Sequence, residues 1–184
     1  MFKIKRQVFF SFHYDNDAWR VSQVRNMGVV ESQKLFSDNS WETVRRKSDL
    51  AIKSWIDNEM KWRSCVVVLI GAETAKRKWV QYEIEHAWKE GKGIVGIYID
   101  SLEDSTGKRS KRGKNPFDYF CIDTTFNYIT KNSIPADSNE VRLSSIIKTF
   151  DSSYVSSKYV YEDIKNNIEK LIEEAIKIRN KYPK

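Results

Sequence analysis

A tryptophan and a glutamate stand one helical turn apart in the segment KWVQYEI, at Trp79 and Glu83. This spacing places both side chains on the same face of a helix. A neighbouring apolar face is predicted from the spacing of Val80, Ile84, Ala87 and Trp88. The helix can therefore bury one side and still present an aromatic ring beside an acid. A carboxylate next to an aromatic ring suits a substrate with a flat ring and a developing positive charge.

The elements that must position this pair alternate between strand and helix. Apolar runs predict buried strands at residues 8–12, 65–70 and 94–99. Helical spacing is found over residues 18–26, 43–60 and 79–89, and over a C-terminal segment whose apolar stripe runs from residue 160 to 175. Weak strand candidates occur at 28–30, 35–36 and 126–129. Because the run at 65–70 is apolar throughout, it predicts a central strand of a doubly wound, parallel α/β sheet.

The composition is that of one soluble domain. A chain of 184 residues can bury about 70% of its unfolded surface. It contains no run near the roughly 18 apolar residues that a membrane span needs. No signal-peptide core precedes the first strand, so we expect a cytoplasmic protein without membrane association. Cys65 and Cys121 are then expected to be reduced, and Cys65 to be a small core residue.

The formal net charge of +7 would help to attract a phosphate-bearing ligand. No helix-turn-helix, zinc-finger or RNA-recognition signature accompanies it, so we do not expect nucleic acid as a partner. Five of the seven residues at 108–114 are basic. Such a run is typical of a solvated loop, although a specific phosphate or nucleic-acid contact remains an alternative.

Several familiar motifs are excluded by their context or are missing. Residues 91–96, GKGIVG, satisfy G-x-G-x-x-G, but they follow a helix and open a strand, whereas a dinucleotide fingerprint follows a strand and opens a helix. His13 and His86 have no metal-ligand partner at the usual spacing, so no metal site is predicted. Neither a G-x-x-x-x-G-K-[ST] loop nor a G-x-S-x-G elbow occurs in the sequence.

Four blocks, taken in order, resemble a TIR domain over roughly residues 6–100. They are VFFSFHY at 8–14, CVVVLIG at 65–71, WVQYEI at 79–84 and GKGIVGI at 91–97. The third block resembles the W-x-x-x-E element that carries the catalytic glutamate of NAD-cleaving TIR enzymes. A closer resemblance, which also includes NPFDY at 115–119, is to ThsB, the TIR-like subunit family of the bacterial Thoeris anti-phage systems. This second resemblance spans nearly the whole chain.

The resemblance implies a single flavodoxin-like domain over residues 1–184, with a core at about 6–130 and a C-terminal helical extension at about 154–181. It implies an enzyme of the NAD glycohydrolase or ADP-ribosyl cyclase type, with NAD as its substrate and no separate cofactor. The product would be a cyclic ADP-ribose-type signal that activates a separate NAD-depleting effector. A homo-oligomer is also an expectation, since TIR enzymes commonly assemble to complete the active site. The sequence leaves the nucleotide product and the infection trigger open.

Within this resemblance, Glu83 is the candidate catalytic residue, placed to stabilise the charge that develops on the ribose when nicotinamide leaves. The candidate substrate-binding residues are Ser11, Phe12, His13, Tyr14, Asp38, Trp41 and Trp79. Ser11, Phe12 and Tyr14 lie where the first strand ends, at the edge at which open α/β sheets bind ligands. Two features depart from many TIR domains: the Pro-Gly loop after the second strand is missing, and His13 replaces an arginine.

Other interpretations of the same residues remain open. Glu83 could be an ordinary solvated helix glutamate, and Trp79 could be simple core packing. The alternative function is a non-enzymatic TIR-like scaffold that signals by self-association. A flavodoxin-like or receiver-like binding module is a further class, although the receiver interpretation lacks an acidic cluster at the end of the first strand.

Overall fold

The computed structural model of the chain describes residues 5–32 and 46–182. Its strands are β1 (Gln7–Ser11), β2 (Glu31–Ser32), β3 (Cys65–Ile70), β4 (Gly93–Tyr98), β5 (Cys121–Asp123), β6 (Ile129–Thr130), β7 (Glu140–Arg142) and β8 (Thr149–Phe150). Its α-helices are α1 (Tyr14–Arg25), α2 (Asp49–Met60), α3 (Lys78–Lys89), α4 (Leu143–Ile146) and α5 (Ser157–Arg179). Short 3₁₀ turns occupy Thr74–Lys76 and Pro116–Tyr119. The predicted α/β class is confirmed.

In the described part of the chain, five parallel strands form the main sheet in the order β2-β1-β3-β4-β8. The central strand β3 is buried along its whole length, as its continuous apolarity predicts. It lies between β1 and β4, with Ser11 opposite Val68 and Ile70 opposite Tyr98. Parallel neighbours end at the same edge, so the segments that follow β1 and β3 meet there.

Helices cover both faces of this sheet. Alternate residues of a strand point to opposite faces. Phe9 and Val66 therefore pack with the apolar sides of α2 and α3, whereas Phe10 and Val67 pack with α1 and α5. The long helix α5 thus covers the face opposite α3. No helix in the described ranges is long and apolar enough to cross a membrane.

A second, three-stranded antiparallel sheet, in the order β6-β5-β7, packs on the α3 side. The indole nitrogen of Trp88 donates a hydrogen bond of 2.8 Å to the carbonyl of Asn127 and so ties α3 to this sheet. The basic segment 108–114 is largely exposed, but Arg112 is held against Tyr98 and paired with Asp100 and Asp151.

Some predicted boundaries were wrong. Helix α1 begins at Tyr14 rather than near residue 18. Its N-cap is His13, and Asp17 lies within its first turn. The strand expected at 28–30 lies at Glu31–Ser32 instead. The edge strand β8 lies in a stretch for which the sequence predicted no strand. Residues 35–36, Asp38 and Trp41 lie outside the described residues.

Candidate functional site

Two segments that are distant in sequence meet at the carboxyl edge of the sheet. One follows β1 and enters α1; the other follows β3 and enters α3. Thr74 fixes the second segment, since its hydroxyl accepts a hydrogen bond from the Gly71 amide at 3.0 Å and donates one to the Leu69 carbonyl at 3.3 Å. The chain then turns sharply enough for α3 to begin beside the end of β1.

Glu83 lies on α3 with its side chain directed at β1. It is only 7% exposed, and its carboxyl group accepts a hydrogen bond from the hydroxyl of Ser11. Ser11 lies on the same face of β1 as Phe9, which packs against α3. The neighbouring side chains Val80 and Ile84 are buried in the core, as the apolar spacing predicts. A rigid strand and a packed helix therefore fix the position of the carboxylate.

Burial strongly affects the ionisation of Glu83. Removal from water raises the pKa of this carboxyl to about 8, although the hydrogen bond from Ser11 acts in the opposite direction. Without a ligand, the group is therefore largely protonated at neutral pH. A cation that binds beside it would favour the carboxylate form.

Glu83 borders an open cavity of about 280 Å³. The β1–α1 segment contributes one wall, formed by Phe12, His13, Tyr14 and Asp15. The start of α3 contributes the other wall, formed by Arg77, Trp79, Val80 and Glu83. Trp79 and Glu83 therefore face the same space. The cavity combines one buried acid with aromatic walls and a cation.

The aromatic walls are partly buried and are held by their neighbours. The ring centroids of Phe12 and Tyr14 lie 6.4 Å apart. Trp79 packs edge-on against Tyr82 at 6.1 Å, and the ammonium of Lys78 lies 4.8 Å from the Trp79 ring. Trp79 thus both packs on the helix and lines the cavity. Flat walls of this kind suit a planar ring as ligand.

His13 lies between the strand and α1. It is 7% exposed, and its Nδ1 has no hydrogen-bond partner within the described ranges. Its Nε2 lies 3.9 Å from Asp15. Burial lowers the pKa of this imidazole, and the positive charge of Arg77 lowers it further, against the opposing charges of Asp15 and Glu73. The free protein therefore carries a largely neutral His13 at neutral pH.

A known protein family matches a segment of the chain that contains both walls of this cavity. The family model described as "Thoeris protein ThsB, TIR-like domain" matches residues 9–104, which is more than half of the chain. The chain belongs to this family. A Bacillus cereus (strain MSX-D12) relative, named "Putative cyclic ADP-D-ribose synthase ThsB1", is 40% identical over 119 residues. That match covers 62% of this chain and 62% of the relative, so the chain spans less than two thirds of the relative's length.

The structure of this ThsB-family chain brings six of the eight candidate site residues together. Five of them line the cavity: Phe12, His13, Tyr14, Trp79 and Glu83. Ser11 is fully buried and contacts Glu83, so any influence it has on a ligand passes through that carboxylate. Asp38 and Trp41 lie outside the described residues.

Arg77 was missed by the sequence analysis of this ThsB-family chain. It is exposed, lies at the N-cap of α3 and lines the cavity. One of the many cations in a chain with 32 lysines and arginines carries little information by itself. Its position just before the Trp79 helix was the available signal, because the first residue of that helix had to lie at the carboxyl edge of the sheet.

Proposed function

We propose that this chain cleaves the nicotinamide–ribose bond of NAD and cyclises the remaining ADP-ribose into a signalling nucleotide. The observation that carries this proposal is the position of Glu83, a buried carboxylate anchored by Ser11 beside an aromatic-walled cavity. A cavity of about 280 Å³ lies just below the usual range for ligand pockets, roughly 300–1,000 Å³. It therefore fits one end of a dinucleotide, with the rest along its open mouth.

The first step needs little from the protein except charge stabilisation and orientation. The bond between ribose C1′ and the pyridinium nitrogen breaks, and its electron pair passes to that nitrogen, giving neutral nicotinamide. Positive charge then develops on the ribose. The carboxylate of Glu83 would stabilise it and accept hydrogen bonds from the ribose hydroxyls. The cationic ring of the bound substrate favours this ionised form of Glu83 before the bond breaks.

The second step determines the product. A hydroxyl or ring nitrogen of the same ADP-ribose must reach C1′ before water does, and an attacking hydroxyl releases its proton as the bond forms. Partly buried aromatic rings at Phe12, Tyr14 and Trp79 would help to keep water from the reacting carbon. The name of the Bacillus cereus relative, a putative cyclic ADP-D-ribose synthase, supports cyclisation rather than hydrolysis.

The wider role follows from the family. We propose that the nucleotide product activates a separate NAD-depleting effector during phage infection, as the Thoeris family assignment suggests. Assembly into a homo-oligomer and a cytoplasmic location belong to the same proposal. A non-enzymatic scaffold is the alternative, and it predicts that changes at Glu83 leave signalling intact.

The test is NAD turnover by the full chain, with and without lysate from infected cells, followed by mass spectrometry of the products. We expect a product with the mass of ADP-ribose less one water. Glu83→Gln should reduce NAD consumption about a hundred- to a thousandfold, because it removes the charge that the transition state needs. The matched control is Glu85→Gln on the same helix, where the carboxylate pairs with Lys89 and Lys131 outside the cavity.

The outcomes separate the alternatives. Loss of turnover in a folded Glu83→Gln chain, with turnover kept in Glu85→Gln, supports the catalytic assignment. If ADP-ribose is the only product, the chain hydrolyses NAD and does not cyclise it. Full turnover by Glu83→Gln, or no NAD loss under any activating condition, would contradict the proposed enzyme.

A further inference from the structure

The basic segment 108–114 has no part in the proposed reaction, and its cations are free to bind a partner. Four of its side chains are exposed and form no ion pair within the described ranges: Lys108, Arg109, Lys111 and Lys114. The fifth cation, Arg112, is paired with acids and stacked on Tyr98. The segment therefore presents a cluster of four positive charges to solvent.

The backbone that carries these charges is held in place at both ends. Arg20, which is buried on α1, donates a hydrogen bond of 2.7 Å to the Lys108 carbonyl. Gly113 packs so closely on the Gly71 carbonyl that no side chain fits there. A partner would therefore meet cations on an ordered backbone, which lowers the entropy cost of binding.

The segment that leads into α5 lies alongside the basic segment. The guanidinium of Arg112 pairs with Asp151 at 2.8 Å, although the two residues are 39 positions apart in the sequence. On the near side of the basic segment, the Glu103 amide donates a hydrogen bond of 3.0 Å to the hydroxyl of Ser157. These two contacts fix the chain before α5 next to the exposed cations.

Two exposed tyrosines, the tyrosine pair, stand on this neighbouring chain. Tyr154 is 52% exposed and Tyr159 is 58% exposed, and their ring centroids lie 5.8 Å apart. Tyr154 follows Asp151 by three residues, so their Cα atoms are at most about 11 Å apart. Lys158, between the two rings in sequence, is exposed as well. Cations and open aromatic rings thus share one surface.

We propose that the basic segment and the tyrosine pair form a binding surface for single-stranded nucleic acid. The cations would neutralise successive phosphates, and the rings would stack on unpaired bases. Stacking of this kind tolerates any sequence, because every base has a π-face. An acidic protein would use the cations but would leave the rings without a role. The sequence lacks a nucleic-acid-binding signature because the fold assembles this surface from separate segments.

The test is fluorescence anisotropy of the full chain with a labelled single strand of about 12 nucleotides, over a series of salt concentrations. We expect a Kd of about 1–100 μM near physiological salt, and a clear fall in affinity as salt increases. The double variant Arg109→Gln/Lys111→Gln should bind about tenfold more weakly. Its plot of log affinity against log salt should be shallower by about 1.4, since each phosphate contact on a single strand contributes about 0.7.

Tyr154→Ala tests the aromatic part of the surface. It should weaken binding about five- to a hundredfold, the loss expected when one base loses its stacking partner. An abasic strand of the same length keeps the phosphates and lacks the rings, so Tyr154→Ala should change its affinity by less than twofold. Thermal melting checks that the variants are folded.

Two control variants match these changes. Lys177→Gln/Lys181→Gln removes two exposed charges at the end of α5, which lies beside Gly93 at the amino edge of the sheet. Tyr128→Ala removes an exposed ring from the other aromatic pair, which it forms with Phe126. Both controls should keep the affinity for the strand within about twofold of wild type.

Three results would overturn the proposal. One is equal loss of affinity in the test and control variants, which would reduce binding to overall charge. Another is an equal effect of Tyr154→Ala on the normal and abasic strands. The third is displacement of the strand by poly-glutamate of matched charge as effectively as by unlabelled strand, which would assign the surface to an acidic protein.

Discussion

The ionisation of Glu83 connects the geometry of the cavity with the pH at which the proposed reaction runs. Burial raises the pKa of this carboxyl to about 8, and the hydrogen bond from Ser11 acts against that rise. The proposed chemistry uses the carboxylate, so its fraction, and with it the rate, should increase as pH rises through the pKa of the substrate complex. A bound pyridinium cation favours the carboxylate and places that pKa below the value of the free protein.

Ser11→Ala tests whether the ionisation of Glu83 sets the pH dependence of the proposed reaction. The variant loses the hydrogen bond that favours the carboxylate, so the pKa of Glu83 should rise further and the ascending limb of the pH–rate profile should move to higher pH. At pH 7 we expect NAD consumption to fall about tenfold or more, the size of one hydrogen bond to a charged group. The measurement is the initial rate from pH 5 to 10.

Ser64→Ala serves as its control, because Ser64 bonds to the Gln7 carbonyl just before β3, at the amino edge of the sheet. Its pH–rate profile should match that of the wild type. A Ser11→Ala profile with an unchanged midpoint would show that Ser11 does not set the ionisation of Glu83.

At the scale of elements, the sequence predicts what is long and strongly patterned. Strands β3 and β4 are continuous apolar runs, and the spacing along α3 and α5 is clear, so each was predicted close to its observed position. Strands β2 and β8 have two residues each. Segments this short carry no periodic pattern of their own and become strands only because a neighbouring strand supplies hydrogen bonds.

The same reasoning explains which parts of the candidate site could be foreseen. The shared face of Trp79 and Glu83 is a local helical property, and both side chains line one cavity. The contact between Ser11 and Glu83 joins residues 72 positions apart. It depends on the neighbouring positions of β1 and β3, which no local pattern contains. Arg77 becomes informative only when the start of α3 is placed beside His13.

Gly71, which follows β3, is packed so closely against α1 that no side chain fits at this position. A Cβ added at Gly71 would lie 2.2 Å from a carboxylate oxygen of Asp17, which is buried on α1. Gly71→Ala should therefore force the buried Asp17 side chain from its position, which disturbs α1 and the cavity wall that leads into it. We expect a loss of about 1–3 kcal/mol in the free energy of unfolding, measured by urea denaturation, and weaker NAD binding.

A double-mutant cycle identifies the cause. Asp17→Ala removes the clashing carboxylate but also its pairing with Arg20, so the single variant is itself destabilised. In the presence of Asp17→Ala, the additional cost of Gly71→Ala should become much smaller. Strict additivity of the two changes would show that the glycine is needed for another reason.

At the scale of the whole molecule, the longest helix and the helix that carries the candidate acid lie on different faces of the sheet, and each packs on a core of its own. Helix α5 contributes a row of fully buried side chains to the core that it shares with α1, whereas Glu83 and Trp79 belong to α3 on the opposite face. The carboxyl edge of the sheet carries the site. The sheet separates the α3 wall of the cavity from α5, whereas Phe12 of the other wall packs against the core that includes α5. Damage to the α5 core should therefore lower stability before it alters the geometry around Glu83.

Ile168→Ala tests that separation. Ile168 is fully buried on α5, so its truncation leaves a cavity that should cost about 2–5 kcal/mol. A chain of this size should then melt roughly 4–20 °C lower, as measured by calorimetry. NAD consumption well below the melting temperature should stay within about twofold of wild type. Ile134→Ala is the matched control, since the same change at a side chain that is 71% exposed should leave the melting temperature almost unchanged. Loss of turnover in a folded Ile168→Ala chain would mean that the two faces of the sheet are coupled.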